Sequence, residues 1–227
     1  MLAESSQQPV SEAVRSLEVR WIFPGRLETA VAAWFARFPA TTESREDVYL
    51  LDPCLPALSV KLRGGGAMEA KAYRGSPGIL QVPGRARGRM QTWQKWPFPG
   101  CLPGPGSSWQ PVAKRRRISR FPLASGPAAV CGGGPGPHPH PGRHRHPGRH
   151  PHPGPHSHPR CEVELTEIRT RGQDWWTLGF EMTGPAELLR SELQATAALV
   201  FARALPGDVE PGPDQSSSYA EWLSRCR

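Results

Sequence analysis

No stretch of the sequence approaches the roughly twenty consecutive apolar residues that a transmembrane helix requires, so the chain has no candidate membrane span. The start, MLAESSQQPVSEAV, lacks the basic and then apolar order of a secretory signal peptide. We therefore expect a cytoplasmic protein without a membrane partner. The five cysteines are odd in number and never spaced as CxxC, which indicates neither a disulfide framework nor a cysteine zinc site.

Apolar residues are also scarce, at 37% of the chain, whereas globular proteins usually approach half. Gly and Pro are abundant, with 24 and 27 of 227 residues, so we expect part of the chain to be unfolded. The net charge of +8 favours anionic partners. It is unevenly placed, because residues 161–227 contain eleven acidic and six basic residues while the first 160 residues are strongly basic.

Low-complexity segments mark the boundaries along the chain. A hexapeptide of the form Gly-x-His-x-His-Pro runs four times from Gly136 to Pro159 and contains all eight histidines. Its prolines remove backbone donors, which excludes a helix or a central strand. We therefore predict a disordered N-terminus over residues 1–15 and one domain over residues 16–223. A Pro/Gly loop at 97–111 and a Gly/Pro/His-rich insertion at 126–160 interrupt this domain.

The remaining chain shows the alternation of period two that is typical of strands. Leu17, Val19 and Trp21 share one face of a segment whose other face has Glu18 and Arg20. The turn Gly64-Gly65-Gly66 joins two further alternating segments into a predicted hairpin. Eight candidate strands result, at residues 17–21, 47–51, 60–63, 68–73, 89–96, 112–121, 162–170 and 175–183. Eight antiparallel strands can close into a barrel, so we predict an α+β fold with flanking helices.

The charged faces of these strands repeat charge at i and i+2, and the signs segregate by strand. Lys61 and Arg63 form a cationic pair, whereas Glu162 and Glu164 form a dianionic one. A half-buried strand whose charged face meets water would explain any single pair. If the barrel closes with these faces inward, however, its lumen needs an anion and a cation to satisfy the charges. A polyphosphate with a bound divalent metal supplies both.

The order of these residues resembles the CYTH superfamily, also called triphosphate tunnel metalloenzymes. The resemblance covers about residues 16–121 and 161–223, includes the ending Ser218-Tyr219-Ala220-Glu221-Trp222-Leu223, and depends on order because every motif is short. It implies an eight-stranded tunnel that binds and hydrolyses a small phosphorylated anion such as a triphosphate, with Mg²⁺ or Mn²⁺ as cofactor. The matching residues run in the order Glu18, Lys61, Arg63, Glu69, Lys71, Lys114 or Arg116, Glu162, Glu164 and Glu181.

This resemblance also implies roles for individual residues. The basic side chains would hold phosphate oxygens, because guanidinium forks and ammonium charges suit that work; they are Lys61, Arg63, Lys71 and, on one further strand, Arg116 or Lys114. Arg20 is a further substrate-binding candidate, which does not come from the family pattern. The carboxylates would bind the metal, because Mg²⁺ prefers oxygen ligands; they are Glu18, Glu69, Glu162, Glu164 and Glu181. Glu162 and Glu164 are the predicted catalytic pair.

One departure from the family pattern leads to an alternative function. The family opens with ExExK, whereas this chain reads Glu18-Val19-Arg20-Trp21-Ile22, so Arg20 replaces a glutamate and Ile22 replaces the lysine. One carboxylate and one cation of the site are therefore lost. The alternative is a non-catalytic module that binds a phosphorylated ligand or serves in interactions.

Other features indicate packing or weaker functions. Glu28–Phe38 and Pro185–Leu205 are predicted helices that cover the barrel, and Ser218 with Glu221 predicts a capping box for a last helix. The basic run at 114–117 is compatible with nucleic acid, but no RNA-recognition signature accompanies it, so we do not expect that partner. The histidine repeats could bind a transition metal weakly, or could be a tolerated surface insertion. The sequence leaves the oligomeric state open.

Overall fold

The computed structural model describes residues 13–64, 66–98, 109–123, 159–207 and 209–226. Its eight strands are β1 (Val14–Pro24), β2 (Thr41–Leu50), β3 (Leu58–Arg63), β4 (Met68–Val82), β5 (Ala86–Phe98), β6 (Trp109–Pro122), β7 (Arg160–Thr170) and β8 (Gln173–Thr183). The helices are α1 (Thr29–Phe35), α2 (Leu189–Val200), α3 (Tyr219–Arg225) and a short 3₁₀ turn, Pro213–Gln215. The histidine repeats and most of the two predicted loops lie outside the described residues.

The strands close into one antiparallel barrel in the order β1-β5-β4-β3-β2-β6-β7-β8, and β8 pairs with β1. This confirms the predicted eight-stranded barrel. The strands are longer than the sequence pattern indicated. In particular, β1 begins at Val14, inside the segment assigned to a disordered N-terminus, and β2 begins at Thr41, six residues before its predicted start. Ladder pairing extends strands beyond the residues that alternate clearly in sequence.

The predicted hairpin at the glycine-rich turn connects β3 to β4. Gly66 has a positive φ of 92°, a conformation that glycine adopts without steric cost. Around it, the Arg63 amide donates to the Ala67 carbonyl at 2.8 Å. The turn therefore places Lys61 and Arg63 on a strand directly beside Glu69 and Lys71.

The main hydrophobic core lies outside the barrel wall, between the strands and two helices. The apolar faces of β1, β7 and β8 pack against α1 and α2, with Trp21, Phe180 and Phe201 in edge-on or stacked contacts. Val31, Trp34 and Phe35 of α1 are buried, as the helical spacing predicted. Helix α2 is shorter than predicted, because residues 185–188 form a turn before it. Because the apolar faces point outward into this core, the charged faces of these strands point into the lumen.

Helix α3 closes one end of the barrel. Trp222 and Leu223 pack with Ile22, Tyr49 and Val112 in a second apolar cluster. The predicted capping box is confirmed, since Ser218 Oγ accepts from the Glu221 amide while the Glu221 carboxylate accepts from the Ser218 amide. At the opposite end, called the open end below, the described residues surround a cavity.

Within the part of the chain that the structure describes, no helix combines the length and apolar character needed to cross a membrane.

Candidate functional site

The lumen of the barrel is lined by ionised side chains from all eight of its strands. Contacts that pass over an intervening strand show this orientation: Lys71 of β4 reaches Glu18 of β1 at 2.6 Å, and Lys95 of β5 reaches Glu181 of β8 at 3.1 Å. The lumen cations among the described residues are Arg20, Arg45, Lys61, Arg63, Lys71, Lys95, Lys114 and Arg116. The lumen carboxylates are Glu18, Glu43, Asp47, Glu69, Glu164 and Glu181. Cations therefore exceed carboxylates.

Glu164 of β7 is the most completely engaged of these carboxylates. Its Oε1 accepts from Arg20 Nη1 at 3.2 Å and from Thr166 Oγ1 at 2.6 Å. Its Oε2 accepts from Arg116, through Nε at 2.9 Å and through Nη2. Burial alone would raise the pKa of Glu164, but Arg20 and Arg116 hold it well below its ordinary value. Glu164 is thus ionised at neutral pH, between two guanidinium groups.

A second cluster surrounds Glu69 of β4. Lys61 approaches its Oε1 at 3.0 Å, Arg63 donates to its Oε2 at 2.6 Å, and Lys95 lies 3.9 Å from Oε2. Against the effect of burial, these cations and Lys71 lower the pKa of Glu69. Several lysines and arginines thus share one carboxylate, which leaves positive charge available for a ligand.

Lys114 is almost fully buried between these two clusters, because it shares Asp47 with Lys61 and the Tyr219 ring with Arg20. Its Nζ donates to Asp47 at 2.9 Å and to the Tyr49 hydroxyl at 2.6 Å, and it lies 3.8 Å from the centre of the Tyr219 ring. Burial lowers the pKa of Lys114 well below its ordinary value, although Asp47 acts in the opposite direction. Lys114 lines neither of the lumen cavities described below, whereas Arg116 lines the one at the open end, so Arg116 is the better placed of the two candidates on β6 for binding a ligand.

Glu162, the other predicted catalytic residue, lies in a different environment from Glu164. It pairs with Arg120 and Arg160, each at 3.0 Å, at the open end of the barrel. Their side chains are 49% and 38% exposed, compared with 13% for Arg116 beside Glu164. The two glutamates therefore lie at the rim and in the interior, respectively.

The carboxylates predicted to bind a metal are not assembled as one metal site. Glu18, Glu69, Glu164 and Glu181 each accept from or pair with lysine or arginine inside the lumen, and Glu162 pairs with arginines at the rim. Among residues 13–64, 66–98, 109–123, 159–207 and 209–226, no three acidic, histidine or cysteine side chains form a group that could hold a metal ion. A divalent cation would have to displace these cations to reach the carboxylate oxygens. In this arrangement the described carboxylates do not present a preformed site for Mg²⁺ or Mn²⁺.

The open end of the barrel forms a cavity of about 310 Å³, here called the mouth. Its basic lining residues are Arg45, Arg63, Lys95, Arg116, Arg120 and Arg160, and its acidic ones are Glu43, Glu162 and Glu181. Of the predicted phosphate-binding residues, the mouth brings together Arg63 and Arg116. It also contains cations that the prediction missed.

Deeper in the barrel lies a small cavity of about 40 Å³, here called the inner cavity. Three of the predicted phosphate-binding residues line it, namely Arg20, Lys61 and Lys71, together with Glu18 and Trp93. Tyr219 of α3 forms part of its lining, and the Arg20 guanidinium stacks 4.4 Å from the centre of its ring. The predicted cations are thus divided between the mouth, the inner cavity and the buried Lys114.

Several lumen residues were missed by the sequence reasoning, although a signal was present for some. Lys95 continues the alternation Gln91-x-Trp93-x-Lys95 on β5, so the same rule would have found it. Arg45 and Asp47 lie in the run Glu43-Ser44-Arg45-Glu46-Asp47, which contains no apolar residue to mark a strand. The mouth arginines Arg120 and Arg160 are brought together by the β6–β7 pairing, which sequence does not reveal.

The basic run at 114–117 is divided between the two faces of β6, because successive residues of a strand point to opposite faces. Arg116 faces the lumen, whereas Arg115 and Arg117 lie outside and pair with Glu167 at 3.8 and 3.0 Å. The run therefore does not form one continuous basic surface.

Comparison with protein-family models gave no match, and neither did comparison with curated proteins. Among solved structures, the chain is similar to the PH1819 protein from Pyrococcus horikoshii OT3, with a TM-score of 0.47, 10% identity and coverage of 93% of this chain and 99% of that one. It is also similar to the S. pombe Pct1 RNA triphosphatase in complex with the Spt5 CTD, with a TM-score of 0.39, 11% identity and coverage of 86% and 82%. The mimivirus capping enzyme triphosphatase gives a TM-score of 0.38, 10% identity and coverage of 82% and 89%.

The assignment of fold rests on the chain's own topology. The eight strands close, α3 covers one end, and charged residues from successive strands line the lumen in the order on which the CYTH resemblance was based. The closed eight-stranded barrel with a charged lumen, which the sequence implied, is therefore confirmed for this chain.

Proposed function

We propose that the protein binds a triphosphate or another phosphorylated anion in the mouth of its barrel. The observation that carries this proposal is the mouth itself, where six basic side chains and three carboxylates surround a cavity of about 310 Å³. Cavities that hold small molecules begin at roughly this size. Clefts lined mainly by one sign of charge concentrate ligands of the opposite sign.

The kind of basic residue in the mouth favours phosphate. Arg63, Arg120 and Arg160 keep exposed fractions of 37%, 49% and 38%, so their guanidinium groups can still donate to a ligand. Guanidinium forks match the spacing of phosphate oxygens and form two parallel hydrogen bonds. Arg116 and Lys95 extend the positive wall inward, where a chain of phosphoryl groups would find further cations.

The same geometry favours binding without turnover. Glu162 and Glu164, which would hold and orient a metal in a hydrolytic site, are both engaged by arginines. Metal-dependent hydrolysis with these two residues stays a prediction. The non-catalytic binding module is the function that the contacts support best.

The direct test measures binding and turnover on one preparation. Calorimetric titration with tripolyphosphate, ATP and thiamine triphosphate should show binding of at least one of them, while phosphate release with Mg²⁺ or Mn²⁺ stays at background. The matched variant is Glu162→Gln/Glu164→Gln. Turnover in the natural chain that is lost in this variant would establish a phosphohydrolase, and the absence of any binding by a folded preparation would contradict the proposal.

We expect ligand binding to weaken as the pH rises through about 8 because of Lys61. Burial lowers the pKa of Lys61 to about 8, since it outweighs the attraction of Glu69 and Asp47, and Arg63 and Lys71 act in the same direction as burial. Because its pKa is lowered, Lys61 loses its ammonium charge at a lower pH than an ordinary lysine does. Affinity for an anion therefore falls above about pH 8. In a titration series across pH, Lys61→Arg should keep its affinity, because arginine stays charged. Parallel profiles for the two proteins would contradict this assignment.

A further inference from the structure

Arg20 places a fixed positive charge in the interior of the barrel. Its Nη1 donates to Glu164 Oε1 at 3.2 Å, to Thr177 Oγ1 at 3.1 Å and to the Tyr219 hydroxyl at 3.2 Å. Its side chain is 12% exposed, and its guanidinium stacks on the Tyr219 ring. Three acceptors and one aromatic face therefore hold the group in a single position.

Gly179 of β8 provides the space for this guanidinium. In the ladder, Gly179 lies directly opposite both Arg20 of β1 and Glu164 of β7. A Cβ atom at this position would lie 2.8 Å from Arg20 Cζ and 2.9 Å from Nη1. A glycine inside a strand is typical of such a close approach. Because Gly179 has no side chain, Arg20 of β1 can pass over β8 and reach Glu164 of β7.

Three of the four carboxylate oxygens of Glu164 and Glu18, beside Arg20, accept from described residues. Both oxygens of Glu164 accept from Arg20, Thr166 or Arg116, and Glu18 Oε1 accepts from Lys71 at 2.6 Å and from Ser16 at 2.8 Å. A divalent cation in this space would lose these oxygens as ligands and would meet the guanidinium charge. Because the side chains are largely buried, the repulsion would be only weakly screened.

We propose that Arg20 takes the place of a divalent cation, so that the barrel binds its phosphorylated ligand without Mg²⁺ or Mn²⁺. The part of this inference that concerns the ligand rests on the proposed function. Its physical basis is that Arg20 and Arg116 together more than neutralise Glu164, so the lumen keeps an excess of positive charge to attract the anion. A metal-free polyphosphate carries more negative charge than its Mg²⁺ complex, so it should bind at least as tightly.

The first experiment compares the affinity of the full chain for tripolyphosphate in EDTA and in excess Mg²⁺. We expect a dissociation constant in EDTA that is equal to or lower than the one in Mg²⁺. Binding that appears only with Mg²⁺ or Mn²⁺ would overturn the inference while leaving the proposed function intact. The absence of binding in both buffers would overturn the proposed function. The inference about Arg20 is then tested by Mn²⁺ binding alone, as described next.

The second experiment uses Mn²⁺ alone, followed by electron paramagnetic resonance, and needs no phosphate. Arg20→Glu replaces the guanidinium with a carboxylate beside Glu164, whereas Arg20→Gln removes the charge without adding an anionic ligand. We expect Arg20→Glu to bind at least one more Mn²⁺ than the natural chain, and Arg20→Gln to bind none more. Mn²⁺ held elsewhere, for example by the histidine repeats, is common to all three proteins.

The natural chain supplies the decisive control should Arg20→Glu fail to fold. Mn²⁺ bound by the natural chain and lost on Glu164→Gln would show a metal at this position and would overturn the inference. Mn²⁺ binding that is unchanged by Glu164→Gln supports it. Equal Mn²⁺ binding by the natural chain and a folded Arg20→Glu would count against it.

Discussion

Replacement of Glu164 by alanine is expected to lower the free energy of unfolding by about 3 to 5 kcal/mol, the usual cost of removing one partner from a buried ion pair. The carboxylate lies between Arg20 and Arg116, whose side chains are 12% and 13% exposed. Without it, two guanidinium groups would face each other in a largely buried space. Urea unfolding followed by circular dichroism measures the loss.

Glu162→Ala is the matched control for this prediction, because it removes a carboxylate only two residues away on the same strand. Its partners Arg120 and Arg160 remain in contact with water, so we expect a change within about 1 kcal/mol. Glu164→Gln should lower the free energy of unfolding by an intermediate amount, since the amide keeps an acceptor for one arginine but loses the charge. Similar losses for Glu162→Ala and Glu164→Ala would show that burial of the ion pair does not control stability here.

The second large effect is expected on binding. Arg63→Ala and Lys61→Ala should each weaken tripolyphosphate binding by roughly 10-fold to 100-fold or abolish it, which corresponds to the loss of one charge-assisted hydrogen bond. Arg63 lines the mouth, and Lys61 lines the inner cavity behind it. Arg63 and Lys61 each pair with Glu69, so either truncation leaves that carboxylate less neutralised. The Glu69 carboxylate then repels the anionic ligand more strongly. Isothermal titration calorimetry measures the change.

Arg26→Ala provides the control for these variants. Arg26 pairs with Asp174 at 3.0 Å outside the barrel, and its side chain is 85% exposed. The substitution removes a positive charge without altering the lumen. Because salt screens this distant charge, the affinity for tripolyphosphate should change less than twofold. Unchanged affinity in both Arg63→Ala and Lys61→Ala would contradict a ligand site in the barrel.

Much of the fold could be predicted because apolar and charged residues alternate clearly in the sequence of β1, β3, β4, β7 and β8. Leu17, Val19 and Trp21 pack outward against the helices, so Glu18 and Arg20 necessarily point inward. The prediction was weakest for β2, whose first six residues include only hydroxyl-bearing and charged side chains. This segment pairs because β6 offers backbone partners along its whole length, and the local sequence pattern does not contain that information.

The candidate site was predicted in its residue types but not in its pairing. Strand alternation is local, so the sequence by itself determined that lysines, arginines and glutamates would share the inner face of an eight-stranded barrel. The contact of Arg20 with Glu164 joins residues 144 positions apart in the chain. It depends on barrel closure through β8, on the space left by Gly179 and on the strand register. Only the tertiary structure could therefore decide that the predicted metal ligands are occupied by the protein's own cations, because charge neutralisation depends on distances across the lumen.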